Sequence, residues 1–109
     1  MKDIRWVGRS YRDLCEFPDD AKKEAGYQLH LLQSGDEPDD WKPMLTIGHG
    51  VQEIRIHEES GAFRVIYVAK FEEAIYVLHS FQKKTQKTAQ HDIELARERF
   101  KAMIKERTL

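Results

Sequence analysis

Four cations stand where strand-forming sequence begins or ends: Arg55, Arg64, Lys83 and Lys84. Guanidinium and ammonium groups gathered at one spot repel one another unless an anion sits among them. A phosphodiester would relieve that repulsion, and charge developing on it during reaction would be held more strongly still. Tyr76 and Phe81 fall on the segment that leads to Lys83. An aromatic face beside cations is what unstacked RNA bases pack upon. His57 and His79 lie in the same strand-like stretches, and imidazole is the side chain that trades protons near neutral pH. His30, His49 and His91 complete the histidines, none of them in HExxH spacing. GxSxG, Walker and dinucleotide-binding motifs do not occur, so an enzyme here is expected to work without a cofactor.

The elements that must position these groups follow from periodicity. IRWVG at 4–8 predicts a strand, and Ser10 caps a short helix running to Phe17. Pro18 suits the first turn of a second helix, from Asp19 to Gln33, whose Ala21, Ala25, Leu29 and Leu32 share one face before Gly35 stops it. Residues 36–50 read as a long loop anchored by Trp41 and Met44. The period then changes to two. Ile54 and Ile56 face one way, and Glu53, Arg55 and His57 the other. A turn at Gly61 leads into two apolar strands, 63–71 and 74–81, joined tightly at Glu72–Glu73. Thr88 then caps a helix with Ala89, Ile93, Ala96, Phe100 and Met103 on its apolar stripe. The order is β-α-α-β-β-β-α, an α+β domain with helices packed on an antiparallel sheet. In such a meander the start of the second strand and the end of the third share one sheet edge. Arg64 is therefore expected near Lys83 and Lys84, with Arg55 joining them where register allows.

The size, 109 residues, fits a single domain spanning 1–109. The single cysteine, Cys15, rules out an internal disulfide or a cysteine zinc site, and its helix predicts a buried apolar role. With no long apolar run and no signal-peptide core at the start, the expectation is a cytoplasmic protein without a membrane partner. The net charge is only −1, yet residues 82–109 hold eight Lys and Arg against four Asp and Glu. That basic third can meet an anion, while the acidic DEPDD at 36–40 belongs to the loop.

From Gly50 to Thr88 the chain carries a Glu-Ile-Arg strand, then Gly-Ala-Phe-Arg-Val-Ile-Tyr, then a strand ending Phe-Gln-Lys-Lys-Thr. The next helix has Ile93, Ala96 and Arg99 at three-residue spacing. Together these resemble the phage-derived, HigB-like branch of the RelE/ParE toxin superfamily. The resemblance implies a RelE-like fold and a type II toxin, silenced by a helix-turn-helix antitoxin. It implies ribosome-dependent cleavage of mRNA, by metal-independent attack of the ribose 2′-hydroxyl on the neighbouring phosphate. Matched by position, Arg64 and Lys84 would stabilise the transition state, and Arg55, Phe81, Lys83 and Lys87 would hold the RNA. The acid and base stay open among His79, His57 and Tyr67. Ala89 stands where related sequences commonly have proline. The alternative is a non-enzymatic binding module, either a ParE-like inhibitor of a protein target or an inactive phage relic.

Overall fold

The computed structural model describes residues 1–109, in the order β1 (Asp3–Trp6), α1 (Ser10–Cys15), α2 (Asp19–Gln33), β2 (Trp41–Pro43), β3 (Val51–Glu58), β4 (Gly61–Val68), β5 (Ala74–Lys83) and α3 (Gln90–Arg107). This is an α+β fold built on one five-stranded sheet, ordered β1-β5-β4-β3-β2. Strands β2 to β5 run antiparallel to their neighbours, but β1 lies parallel to β5. The expected antiparallel sheet is present, with this one parallel pair at its edge. Between β1 and β5 the chain makes two helices and a three-strand meander, long enough to return β5 in the same direction. One correction concerns the loop at 36–50. Trp41–Pro43 forms a short edge strand against Gln52–Ile54.

Helices cover both faces of the sheet. On one face Leu14, Phe17, Ala21, Ala25, Leu29 and Leu32 of the α1–α2 region pack against Ile54, Ile56, Phe63, Val65, Tyr67, Ile75 and Val77. On the other, Ala96 and Met103 of α3 pack against Val51, Ile66, Val68, Ala74, Tyr76 and Leu78. That is why β4 and β5 read as nearly unbroken apolar runs. Local punctuation is as the residues require: Gly35, beyond α2, takes φ +88°, and Gly61, at the β3–β4 turn, φ +138°. Some expected caps do not form. Ser10 lies inside α1 and its hydroxyl donates to the Val77 carbonyl at 3.0 Å, and Ala89 rather than Thr88 precedes α3. Cys15 is exposed, not buried, because α1 is short and turns Leu14 inward instead. No helix is long and apolar enough to cross a membrane.

One irregularity sets which face carries the end of β5. Tyr67 pairs with Val77 but Ile66 pairs with His79, leaving Leu78 as an extra residue, a β-bulge. Both Leu78 and His79 consequently point to the α3 face, and every later side chain of β5 changes sides relative to an unbroken strand. The guanidinium of Arg99 donates to the Leu78 carbonyl at 2.9 Å, satisfying the bulge from α3. Gly8, at φ +59°, lets that guanidinium pass. A side-chain carbon there would lie 2.7 Å from Arg99 Nε. Arg99→Met should therefore lower unfolding stability by about 1–3 kcal/mol, the cost of an orphaned backbone acceptor. Urea denaturation with an unchanged m-value would check it.

Candidate functional site

Register places the polar residues of the α3 face in three rows across the sheet. Lys42, Glu53, Ile66 and His79 pair along one row, Arg55, Arg64 and Phe81 along the next, and His57, Ala62 and Lys83 along the last. Helix α3 meets only the first, at its His79 end, where Asp92 in the first turn of the helix bonds the imidazole. The other two rows, at the end of the sheet beyond α3, carry no helix. The connector 84–89 leads from β5 to α3 beside them, its Lys84, Thr85 and Gln86 lining an opening there.

A cavity of about 550 Å³ opens there. Arg64, Lys83, Lys84 and His57 line it, with Ala62 at its wall and Thr85 and Gln86 from the connector. The structure thus brings together Arg64, Lys83 and Lys84, as the meander geometry predicts. A second opening of about 550 Å³ adjoins it, sharing Lys83 and Gln86, and Lys87 lies there instead. No carboxylate lines either cavity, in a chain with 19 Asp and Glu. Such segregation leaves the pair of openings electropositive despite the net charge of −1.

Arg55 sits directly opposite Arg64, an arrangement that like charges disfavour. It is relieved on both sides. Arg55 turns to Asp40, with Nε and Nη2 at 2.9 and 2.8 Å from the same carboxylate oxygen, and does not line the first cavity. Arg64 is buried beside Glu53, Nε to Oε1 at 3.5 Å, and donates through Nη1 to the Phe63 carbonyl at 3.0 Å. Glu53 is only 1% exposed and neither of its carboxylate oxygens has a hydrogen-bond partner. Burial raises its pKa, while Arg64, and more weakly Lys42, Lys83 and Arg55, pull it down. Burial also lowers the pKa of Arg64 and of Lys83, the latter further through Arg64. One buried carboxylate therefore stands beneath a group of cations that outnumber it. Glu53 is the residue that sequence reasoning passed over as a merely outward-facing strand position. Its signal was available, two places before Arg55 on the same face.

The three candidate proton carriers separate. His57 is exposed and in the cavity. His79 is buried next to Asp92, Nε2 to Oδ1 at 2.7 Å, and its ring stacks on Phe81 with centroids 4.8 Å apart. It is placed to support Phe81 rather than to meet a ligand. Tyr67 lies on the opposite face, fully buried against α1 and α2, its hydroxyl without a partner and its pKa raised by burial. The expectation that Tyr67 could act as acid or base is corrected, because the sheet itself stands between it and Arg64. No group of three or more His, Cys, Asp and Glu side chains is arranged to hold a metal ion.

A family model for the phage-derived Gp49-like proteins (DUF891) matches residues 12–101, which include every side chain of both cavities. The chain belongs to this family. It is a family associated with RelE-like and toxin-like proteins. No curated protein matches the chain.

Two outcomes follow from the buried groups. Tyr67→Phe removes an unsatisfied hydroxyl, so the denaturation midpoint should stay or rise by up to about 1 kcal/mol equivalent, with any RNA-directed activity unchanged. His79 has its pKa lowered from 6.5, chiefly by burial, with Arg99 adding to this and Asp92 opposing it. The unfolded chain then takes up this proton before the folded one, so stability is full above about pH 6.5 and declines as pH falls. Denaturation midpoints at pH 7.5 and 5.5 should differ more for wild type than for His79→Gln.

Proposed function

We propose that this Gp49-like protein is the toxin of a toxin–antitoxin pair, a ribosome-dependent endoribonuclease that cuts mRNA at the cavity formed by Arg64, Lys83, Lys84 and His57. The observation that carries this reading is the carboxylate-free cavity at the uncovered end of the sheet, with three cations and an imidazole on its walls. That is the composition a scissile phosphodiester requires. Phe81, in line with Arg64 across the sheet and only partly buried, offers a ring for a neighbouring base.

In this reading the 2′-oxygen of the ribose forms a bond to phosphorus while the bond from phosphorus to the 5′-oxygen breaks. The products are a 2′,3′-cyclic phosphate and a 5′-hydroxyl. Arg64 and Lys84 hold the non-bridging oxygens as their charge grows. His57 accepts the 2′-hydroxyl proton. Lys83, a better acid than a free lysine because of burial and Arg64, supplies the proton that the leaving 5′-oxygen needs. Glu53 touches no substrate. It holds Arg64 in place and offsets the repulsion among the cations until the phosphate arrives. Silencing falls to a helix-turn-helix antitoxin that covers the same end of the molecule.

Mapping of mRNA 5′ ends after induction tests the proposal. Wild type should arrest growth and create new 5′-hydroxyl ends within reading frames. Arg64→Gln should reduce single-turnover cleavage on programmed ribosomes by about 100-fold or more, while Lys84→Ala should do so with its denaturation midpoint intact. Growth arrest without new ends, undiminished in the Arg64 variant, would instead identify an inhibitor that acts by binding a protein.

A further inference from the structure

The second cavity is accounted for neither by folding nor by chemistry at the first. Lys42 on β2, Lys83 at the end of β5 and Lys87 on the connector supply its cations, and Met44, Leu45 and Ile93 its apolar surface. Lys42 and Lys87 are exposed, and neither forms an ion pair that would explain its place. Leu45 is 71% exposed, a large apolar side chain left uncovered at the cavity wall. Thr88 and Gln90, where α3 begins, complete the rim, and the first turn of that helix has no side-chain cap. Free backbone N–H groups there add to the attraction for an anion. Cations beside an apolar ledge fit a nucleotide, whose charge and flat base need both.

From this arrangement we propose that the second cavity is a subsite for the adjoining nucleotide of the same single-stranded RNA. Its phosphate would lie on Lys42 and Lys87 and its base against Leu45 and Met44. The inference rests on the reading of the first cavity as the RNA site, and it adds where the strand goes. Lys83 and Gln86 belong to both openings, so a chain can pass from one to the other without leaving the electropositive surface. The absence of any carboxylate from the second lining argues for a repeating polyanion. Lys42 is also the register partner of Glu53, so the buried carboxylate lies between the cations of both subsites. Binding here would act on the capture of RNA, since neither Lys42 nor Lys87 reaches the cavity where bonds change.

The test uses a fluorescein-labelled hexanucleotide RNA methylated at every 2′-oxygen, which cannot be cleaved, and a dinucleotide of the same kind. Affinities are read by anisotropy over a range of salt, for wild type, for K42A/K87A and for the control K101A/K105A, which removes two exposed lysines of α3. The proposal expects K42A/K87A to weaken the hexanucleotide tenfold or more and to leave the dinucleotide within twofold. Its log–log salt plot should be less steep by about 0.7, one phosphate contact on a single strand. On programmed ribosomes the same variant should raise the half-saturating concentration while keeping the saturating cleavage rate. Unchanged hexanucleotide affinity, an equal loss in the control, or no RNA binding by wild type would overturn the subsite. A polyglutamate peptide that displaces the hexanucleotide at lower charge concentration would also overturn it, in favour of a protein partner. Hexanucleotide binding that depends on Lys42 and Lys87, without any cleavage by wild type, would keep the subsite and remove only the nuclease reading.

Discussion

The extra residue at Leu78 decides which side of the sheet receives the end of β5. Side chains alternate along a strand, so a bulge of one residue exchanges the two faces for everything beyond it. Upstream, Ile75 and Val77 face α1 and α2. Downstream, Phe81 and Lys83 share the face of Arg55, Arg64 and His57. Without the bulge, Phe81 and Lys83 would point into the other layer and Arg64 would stand without its neighbours. Arg99 holds this arrangement through the Leu78 carbonyl, and Gly8 makes room for it. A helix residue with no part in the cavity is thus a condition of the cavity.

Helix α3 has a second service. It is fixed near its start by Asp92 on His79, in its middle by Arg99 on Leu78, and at its end by Arg107 on Glu73. The connector 84–89 therefore runs between two anchored points, with the Lys84 and Lys87 side chains exposed along it. The electrostatics follow the same economy. Glu53 lies where it can offset Arg64, Lys42 and Lys83 together, and it does so from below, leaving the upper side of the cations open. Replacing it with another cation or an apolar group would leave Arg64 buried and unbalanced.

Much of this could be read before any coordinates. The boundaries of α2, the alternation in β3 and the turn at Gly61 follow from local chemistry, and with them the meeting of Arg64, Lys83 and Lys84 at one sheet edge. What could not be read was non-local. β2 is three residues long and exists only because β3 offers it an edge. The parallel pairing of β1 with β5 depends on how far the intervening chain returns. The bulge at Leu78 is hidden because Leu and His in succession look like ordinary strand residues between two buried layers. Tyr67 looked available for the same reason: in a strand apolar on both sides, composition does not say which face a residue takes. The burial of Glu53 is of this kind too, since its exposure depends on Lys42 and β2 lying alongside.

The Asp40 carboxylate occupies the Arg55 guanidinium, so any anion reaching Arg55 would have to displace it. Its acidic loop is itself held, since Asp39 and Gln28 exchange two hydrogen bonds of 2.8 Å. An internal rival of this sort works at the high effective concentration of a short tether. A half-exposed pair of this type is worth no more than about 1 kcal/mol. Displacing Asp40 would therefore weaken an anion held at Arg55 by no more than about fivefold, whatever its valency.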